Sequence, residues 1–308
     1  MEIVLVGNIA NLGRAVLERE IQPPARLLQY PCDLNGAEVL VGSPITPSMI
    51  SGAPRLRLIH ASGAGYDAIA TWAIPSNVAL CNVFHHERAM AEYVVMTMLA
   101  LQRNLLQQDV ALRQGRWDGS CVTGAPAASE LRGKTLGIIG YGHIGAETAR
   151  LLAPFETQIQ GLRSRHSRAE FEDLLALSDF VLVACPLNEQ TRGLIGAAEL
   201  ARMKPTSFLI NVARGEIVDE QALFAALQSR QIRGAAIDVW YRYPRDGQPA
   251  APASAAFHAL DNVIMTPHSS GWTDYVLESR FRDIAANINR LMRGEPLNNV
   301  LQPSPSQM

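Results

Sequence analysis

The sequence has few cysteines, and none of them is spaced to bind a metal or to form a redox pair. The four cysteines in 308 residues are Cys32, Cys81, Cys121 and Cys185. Disulfide-stabilised secreted folds and zinc sites need denser or more regular cysteine spacing. The composition therefore predicts four free thiols in a reducing compartment.

The sequence also lacks a long apolar run and an excess of charge of either sign. Its formal net charge is −2, which gives no electrostatic reason to bind nucleic acid or an anionic membrane. No apolar run reaches the roughly 20 residues that a membrane-spanning helix needs. Residues 1–4 include an acid where a signal peptide carries basic side chains. We therefore expect a cytoplasmic protein with neither a nucleic-acid nor a membrane partner.

What the chain does have is 48% hydrophobic residues and enough length for two domains. Short apolar runs alternate with helical patterns. The predicted strands are 2–6, 38–42, 56–61, 78–83, 136–139, 157–162, 180–184, 207–212, 233–239 and 263–266. The predicted helices are 7–21, a brief one capped by Ser48, 90–114, 146–153, 219–229 and 274–294. This alternation predicts an α/β fold with doubly wound parallel sheets, and the proline-broken tail 302–308 is expected to be disordered.

The glycine-rich turn of residues 140–145 indicates function most directly. Gly140, Gly142 and Gly145 follow a predicted strand and precede a predicted helix. In a dinucleotide site of this pattern the first glycine permits a tight turn, and the second lets the backbone approach a pyrophosphate. The third lets the helix pack closely on the strand. We therefore predict a dinucleotide site here, whereas the turn after residue 6 lacks the middle glycine and is interpreted as an ordinary turn.

The stretch after the next predicted strand lacks an acidic residue. NAD-selective sites carry an Asp or Glu about 20 residues beyond the glycine turn. This chain instead has Arg163, Ser164 and Arg165 there, and its first acid is Glu170. Guanidinium and hydroxyl groups can bind a ribose 2′-phosphate, which a carboxylate would repel. We predict that NADP is preferred over NAD; the alternative is a solvated loop and an indifferent site.

A second turn, residues 62–67, follows the predicted strand 56–61. Its two glycines expose backbone N–H groups at the carboxyl edge of a parallel sheet, which favours an anion-binding loop over a plain turn. The candidate substrate-binding residues in this loop are Ser62, Gly63, Ala64 and Gly65. The adjacent histidines at 85–86 cannot share one helical face, and no third ligand is spaced for zinc, so no metal site is predicted.

Blocks of residues over almost the whole chain resemble the D-isomer-specific 2-hydroxyacid dehydrogenase family. The matching blocks are 58–67, 130–140, 185–187, 191–195, 203–204, 211–220, 235–239 and 266–268. The resemblance, which extends to glyoxylate/hydroxypyruvate reductases, implies two Rossmann-like domains. A cofactor domain, 90–276, is inserted into a flavodoxin-like substrate domain, 1–89 and 277–308. It also implies a homodimer.

The resemblance implies roles for individual residues. Arg214 resembles the arginine that grips the substrate's carboxylate and carbonyl, and a planar guanidinium offers two N–H donors for this task. His268 resembles the residue that exchanges a proton with the carbonyl oxygen, which suits an imidazole near neutral pH. The alternatives are a salt-bridged arginine and a capped loop histidine. The implied cofactor-binding residues are Gly140, Gly142, His143, Ile144, Gly145, Arg163, Ser164, Arg165, Cys185, Pro186, Thr191, Val212, Ala213, Asp238 (at the nicotinamide end), His268 and Gly271.

One family residue is replaced in this chain. The family glutamate that orients the catalytic histidine falls five residues after the match to Asp238, and that position is Tyr243. A phenol can hydrogen-bond to an imidazole nitrogen, but it does not stabilise an imidazolium as a carboxylate does. Formate dehydrogenases of the same superfamily carry glutamine there and need no proton transfer. They are longer, however, and their formate-binding segment has no match here.

These observations support three hypotheses. The leading one is an enzyme that reduces a small 2-keto acid, such as glyoxylate or hydroxypyruvate, to the D-2-hydroxy acid, with Arg214, His268 and Tyr243 in its site. The second is a formate- or phosphite-type oxidation by hydride abstraction. The third is a dinucleotide-sensing binding protein, like some transcriptional corepressors of the superfamily. Intact Arg214 and His268 favour catalysis over sensing.

Overall fold

The computed structural model describes residues 1–244 and 248–301, so the tail 302–308, expected to be disordered, lies outside the described residues. The chain divides into two compact units. We call Met1–His85 with Thr273–Met308 the terminal unit, and His86–Trp272 the central unit. The borders between them therefore lie at 85/86 and 272/273, against 89/90 and 276/277 in the sequence-based prediction.

Both units alternate strands with helices. The strands are β1 (Glu2–Val6), β2 (Arg26–Gln29), β3 (Val39–Gly42), β4 (Leu58–His60), β5 (Ala79–Cys81), β6 (Thr135–Ile139), β7 (Gln158–Leu162), β8 (Phe180–Val183), β9 (Phe208–Asn211), β10 (Gly234–Ile237), β11 (Val263–Met265) and β12 (Val300–Leu301). The helices are α1 (Gly7–Leu12), α2 (Arg14–Glu20), α3 (Pro47–Ser51), α4 (Glu87–Gln102), α5 (Leu105–Arg113), α6 (His143–Leu152), α7 (Arg168–Leu177), α8 (Ala197–Arg202), α9 (Glu220–Gln228) and α10 (Asp274–Arg293).

The terminal unit contains a six-stranded sheet in the order β12-β5-β4-β3-β1-β2. Strands β1 to β5 are parallel and follow the flavodoxin-like order 2-1-3-4-5, while β12 pairs antiparallel with β5. The inner strands are apolar and buried because core clusters cover both faces of the sheet. The predicted flavodoxin-like organisation is confirmed, although the sequence pattern did not reveal the edge strands β2 and β12.

The central unit contains a second six-stranded sheet, in the order β11-β10-β9-β8-β6-β7, with all its strands parallel. Its core clusters likewise lie on both faces. The chain runs from β6 to β7 on one side and then returns to β8 on the other, so the strand order reverses between β6 and β8. Open parallel sheets bind ligands at the carboxyl ends of the strands beside such a reversal. The prediction of a doubly wound parallel sheet is confirmed.

A buried hydrogen-bond network holds α10 to the terminal sheet. His60 of β4 donates from Nδ1 to Ala61 O (2.9 Å) and accepts at Nε2 from Asn287 Nδ2 (3.0 Å). The Asn287 amide also bonds both main-chain groups of Asn298. Burial lowers the pKa of His60 to about 4, so the imidazole is neutral at neutral pH and can accept this bond. The network fixes α10 beside the end of β4, where the turn of residues 62–67 begins.

Two predicted helices are broken in the structure. The single helix expected over 90–114 consists of α4 and α5, which are separated at Asn104 by a left-handed φ of 51°. The helix expected over 7–21 divides at Gly13, where a Cβ would lie 2.2 Å from the Phe281 ring. The apolar spacing continues through both breaks and therefore does not reveal them.

The N-cap of α3 was also predicted two residues too late. Thr46, rather than Ser48, is its N-cap, and its Oγ1 accepts a hydrogen bond from Met49 N (3.3 Å). Ser48 lies inside the helix, and its Oγ forms a hydrogen bond with Thr46 Oγ1 at 2.9 Å. Pro47 at the first helical position explains the difference, because proline is favoured at that position and places the cap immediately before it.

Some features are absent from the part of the chain that the structure describes. Within residues 1–244 and 248–301, no helix combines the length and the apolar character needed to cross a membrane. The same residues contain no group of three histidine, cysteine or acidic side chains placed to hold a metal. All four cysteines are free thiols, as predicted.

Candidate active site

The glycine-rich turn lies at the strand-order reversal of the central unit. Gly140 directly follows β6 with a φ of +93°, and a Cβ there would lie 2.5 Å from the Cys185 backbone. A Cβ on Gly145 would lie 3.0 Å from Ile138 Cγ2, so this glycine lets α6 approach β6. At Gly142, by contrast, a Cβ would meet nothing within 4 Å. Two glycines are thus required by packing, and the third leaves open space above the turn.

That open space faces the N-terminus of α6. The helix begins at His143, and its first intrahelical bond runs from Ala146 N to Gly142 O (2.9 Å). The preceding N–H groups, including those of His143 and Ile144, have no helical acceptor and point out of the helix end. They lie at the positive pole of the helix dipole, which favours phosphate. Turn and helix therefore fit a dinucleotide pyrophosphate.

The end of β7 is hydrogen-bonded to the same turn. Leu162 O accepts from Gly140 N (3.0 Å) and Tyr141 N (2.7 Å), so the residues that follow Leu162 lie beside the glycines. These residues are Arg163, Ser164 and Arg165, and all three are exposed. Neither arginine forms an ion pair with a carboxylate within residues 1–244 and 248–301.

The neighbouring charged residues already have partners. Arg168 pairs with Glu172 and Glu199, both at 2.7 Å. Glu170, the first acid after the glycine turn, accepts from the backbone N (2.7 Å) and Oγ (2.8 Å) of Ser167 in a capping box at α7. These bonds from Ser167 lower the pKa of Glu170. The first carboxylate after the glycine turn in the sequence therefore caps the start of α7.

The loop after β8 borders the turn on its other side. Cys185 is buried, and burial raises the pKa of its thiol to about 11, so the group is a protonated packing residue. The Thr191 hydroxyl donates a hydrogen bond to Pro186 O (2.7 Å) and accepts one from Asn188 N (2.8 Å). These bonds close the loop over residues 185–191, which contains the cofactor-binding residues Cys185, Pro186 and Thr191 that the family resemblance predicts.

Arg214 follows β9 on a loop that buried side chains hold in place. Asn211, the last residue of β9, donates from Nδ2 to Arg214 O (2.9 Å) and accepts from Ala213 N (3.1 Å). Gly215 lies so close to Trp240 that a Cβ would meet its carbonyl carbon at 2.6 Å. The half-buried Arg214 side chain itself donates from Nη1 to Ala213 O (2.8 Å). Val212 is buried behind this loop.

Asp238, at the end of β10, organises the loop that carries His268. Its fully buried carboxylate accepts from Thr266 Oγ1 (2.5 Å), Ser269 N (2.9 Å) and Ser270 N (2.9 Å). Thr266 donates its only proton to Asp238, so the 2.7 Å contact with Tyr93 must be a bond that the phenol donates. Burial raises the pKa of Tyr93 to about 12, which keeps that proton in place.

His268 sits on this anchored loop with a left-handed φ of 59°. Its Nδ1 lies 2.9 Å from the hydroxyl of Tyr243, and that hydroxyl also accepts from Trp240 N (3.1 Å). Tyr243 therefore contacts the ring nitrogen that the family glutamate is expected to contact. Further along the loop, Gly271 packs against Met90, where a Cβ would lie 3.3 Å from Cγ.

In the terminal unit, the turn after β4 presents the predicted anion loop of residues 62–65. Gly63 O accepts from Val83 N (3.3 Å), and Ala64 O accepts from Asn82 Nδ2 (2.9 Å). Sequence reasoning missed a nearby residue, Arg280 of α10, whose Nη1 would lie 3.7 Å from a Cβ on Gly63. No local motif reveals it, because more than two hundred residues separate the two positions.

A glycine-rich turn at the reversal point of a doubly wound sheet defines a dinucleotide-binding α/β protein. The chain belongs to the D-isomer-specific 2-hydroxyacid dehydrogenase family, because the family model described as "D-isomer specific 2-hydroxyacid dehydrogenase, NAD binding domain" matches residues 95–270. A glyoxylate reductase of Pyrococcus furiosus is 33% identical over 293 residues, which cover 90% of this chain and 85% of the relative.

Two solved structures share the fold over nearly the whole chain. One is a D-isomer specific 2-hydroxyacid dehydrogenase from Xanthobacter autotrophicus Py2 in complex with NADPH and MES, with 27% identity, a TM-score of 0.81 and 98% of each chain covered. The other is an NAD-dependent formate dehydrogenase from Staphylococcus aureus in complex with NAD, with 28% identity and a TM-score of 0.79. The match to the formate dehydrogenase covers 99% of this chain and 100% of the formate dehydrogenase chain. Since one holds NADPH and the other NAD, these two structures do not distinguish between the cofactors for this chain.

Proposed function

We propose that this protein reduces small 2-keto acids of the glyoxylate or hydroxypyruvate type to D-2-hydroxy acids, with NADPH as the preferred cofactor. The observation that carries the proposal is His268, held by the Asp238-anchored loop with Nδ1 on Tyr243. An imidazole bonded through Nδ1 has Nε2 directed away from that partner, as an acid–base group requires. We assign the central unit to the cofactor and the terminal unit to the substrate.

Each residue of the proposed site has a separate task. Arg214 binds the substrate's carboxylate and carbonyl oxygen through its N–H fork. His268 donates a proton to the carbonyl oxygen in reduction and removes it in oxidation. Asp238 positions His268, and its three internal bonds leave about one of four acceptor sites for the nicotinamide end of the cofactor. The bound nicotinamide supplies the hydride.

A panel of substrates tests the proposal. Nicotinamide absorbance is followed with NADPH or NADH and glyoxylate, hydroxypyruvate or pyruvate, and with oxidised cofactor and formate or phosphite. Keto-acid reduction is the expected result. Formate or phosphite oxidation without it would support the alternative that neutral Tyr243 raises, because hydride abstraction from those anions needs no general acid. Cofactor binding with no turnover of any substrate would indicate a sensing protein.

Tyr243 gives His268 a neutral partner in place of a carboxylate. Its hydroxyl accepts from Trp240 N–H and can donate its proton to Nδ1 of a neutral imidazole. This arrangement favours the neutral ring and stabilises the imidazolium less than a carboxylate would. Keto-acid reduction, which uses the protonated ring, is therefore expected to fade at lower pH than in family members with the glutamate.

Tyr243→Glu is expected to move the basic limb of the kcat/KM profile for keto-acid reduction upward by roughly one to three pH units, because an adjacent carboxylate stabilises the imidazolium. The measurement is NADPH-dependent keto-acid reduction as a function of pH. Tyr243→Phe removes only the hydroxyl and serves as the control, with no upward movement. If the limb stays in place in Tyr243→Glu, position 243 does not set the protonation of His268.

We also propose a homodimer formed through α4 and α5. Four α5 side chains, Leu105, Leu106, Val110 and Leu112, are between 47% and 55% exposed. They lie next to a largely apolar groove of about 730 Å³ that α4 and α6 help to line. Contiguous apolar surface of this kind marks an interaction site, and a second copy of the chain offers a matching surface in a twofold arrangement.

Sedimentation velocity is expected to give twice the 33.5 kDa mass of the chain. Leu106→Asp combined with Val110→Asp should shift the protein to the monomer, because each carboxylate would be buried in the interface. Leu177→Asp is the matched control, since Leu177 is equally exposed but lies at the end of α7. A monomer in the unmutated protein, or a dimer that survives the double substitution, would refute this interface.

A further inference from the structure

Trp240, a buried residue three positions after β10, contacts three segments of the proposed site through three different groups. Its main-chain N–H donates to the hydroxyl of Tyr243 (3.1 Å), and its indole Nε1 donates to Thr266 O (2.8 Å). Its carbonyl group lies so close to Gly215 that a Cβ there would lie 2.6 Å from both the carbon and the oxygen. Gly215 directly follows Arg214. Trp240 therefore joins the three segments on which the proposed site is built.

The indole bond fixes the start of the loop that carries His268. The Thr266 carbonyl belongs to the peptide bond with Pro267, whose ring holds φ at about −65°. The orientation of this carbonyl therefore determines the direction in which the chain enters His268. The indole itself is held by Phe257, which stands edge-on to it with 6.0 Å between ring centroids and 71° between ring planes.

His268 needs this support because its backbone conformation is uncommon for a residue with a side chain. Its φ is 59°, and such a left-handed conformation persists where the surrounding structure imposes it. Asp238 holds the Thr266 hydroxyl and the N–H groups of residues 269–270. The indole of Trp240 holds the Thr266 carbonyl. The loop is thus anchored both before and after His268, and the indole supplies one of the anchors.

We propose that Trp240 is a positioning residue that holds His268 against Tyr243 for proton transfer. This inference rests on the proposed function. The main-chain N–H of Trp240 fixes the Tyr243 oxygen while its indole fixes the loop of His268, so one residue controls the 2.9 Å contact between that oxygen and Nδ1. A general acid works only within hydrogen-bond reach of its acceptor, so a small displacement slows proton transfer. Loss of the indole bond should therefore lower kcat rather than raise KM.

Trp240→Phe removes the indole N–H but keeps an aromatic ring and the main-chain bond to Tyr243. We expect kcat for keto-acid reduction to fall roughly 3- to 10-fold, the effect of one net hydrogen bond, with KM for NADPH and for the keto acid within about twofold. Initial rates at varied concentrations of each substrate measure this split. Wild-type kcat in Trp240→Phe would overturn the inference.

Phe180→Leu is the matched control for a loss of packing. Phe180 is a buried aromatic residue of the same unit, stacked on Phe208 at the start of β8 and therefore at the opposite end of the sheet from the proposed site. The substitution should lower the thermal unfolding midpoint without changing kcat. A fall in kcat as large as that of Trp240→Phe would make Trp240 a packing residue only and would overturn the inference.

The ring of His268 can also be observed without any substrate. In magnetic resonance spectra of protein with isotope-labelled histidine rings, its signal is the one of seven that His268→Ala removes. Trp240→Phe should shift this signal but not that of His166, a ring of the same unit that is bonded to Arg163 O. Such a shift in a protein that reduces no keto acid would support the positioning role even though the proposed reaction had failed. An unmoved His268 signal would overturn the inference and leave keto-acid reduction intact.

Phe257→Leu tests the same role if Trp240→Phe does not fold. It leaves the indole N–H in place and removes the ring that stands against the indole. The His268 signal should again shift, and kcat should fall at least about twofold, because the indole is less firmly held. If both the signal and kcat stay at their unmutated values, the inference is wrong.

Discussion

Replacing Arg214 or His268 by alanine is expected to remove most keto-acid reduction, and Arg214→Ala should do so without weakening cofactor binding. Arg214→Ala should lower kcat/KM by about a thousandfold or more, because the proposed grip on the carboxylate and the developing oxyanion is lost. His268→Ala should lower kcat by roughly a hundredfold or more, the range for removal of a general acid. The rate of NADPH oxidation in the presence of glyoxylate or hydroxypyruvate measures the loss in each variant.

A conservative variant of Arg214 and a control histidine variant test the two assigned roles separately. Arg214→Lys keeps the positive charge but not the planar fork, so it should recover only part of the lost kcat/KM. His258→Ala is the matched control for the histidine, because His258 is an exposed ring of the same unit in the short turn Phe257–Ala259. NADPH titration by protein fluorescence should give the unmutated Kd for the Arg214 variants and for His258→Ala. Wild-type kcat in His268→Ala would disprove its role as proton donor.

The fold was largely predictable because its inner strands are continuous apolar runs bounded by turn residues. Strand β6, for example, differs from its prediction by only one residue, Thr135. The elements that escaped prediction lack such runs. Strand β2 has the half-exposed sequence Arg-Leu-Leu-Gln at a sheet edge, and β12 has only two residues. Edge strands cover little core and so leave a weak sequence pattern.

Some residues of the candidate site were likewise predictable from the sequence, and others were not. The spacing from Asp238 predicted that Tyr243 replaces the glutamate, and the contact of its hydroxyl with His268 is observed in the structure. The pattern Ser-x-x-Glu at 167–170 is a capping-box signal that could have predicted both the start of α7 and the engagement of Glu170. Arg280 could not be found, because only the return of α10 to the terminal sheet brings it to Gly63.

The largest effect on cofactor selectivity is expected at Arg163 and Arg165. Both follow Leu162, whose carbonyl accepts from the glycine turn, and both are exposed without an ion-pair partner in the described part of the chain. Glu170, the first acid that could accept from a ribose 2′-hydroxyl, is bonded to Ser167 instead. The loop therefore offers positive charge and hydrogen-bond donors to a 2′-phosphate and no carboxylate to a 2′-hydroxyl.

Arg163→Ala combined with Arg165→Ala is expected to lower kcat/KM for NADPH by about a hundredfold, mainly through KM, and to leave the value for NADH within about threefold. The estimate assumes one charge-assisted hydrogen bond of roughly 1.5–3 kcal/mol to the phosphate from each arginine, with part of it screened by water at this exposed site. Initial rates with each cofactor at a fixed, saturating keto acid measure the change.

A neighbouring charge at the start of α7 provides the control. Arg168→Ala removes a guanidinium three residues beyond Arg165, but one that already neutralises Glu172 and Glu199. Its effect on the NADPH to NADH ratio should therefore be small, although α7 loses two ion pairs. Arg163→Asp should go further than alanine and reverse the preference, because a carboxylate there repels the 2′-phosphate and can accept from the 2′-hydroxyl. Equal kcat/KM for the two cofactors in the unmutated enzyme would refute the preference, since the arginines would then be no more than a solvated loop.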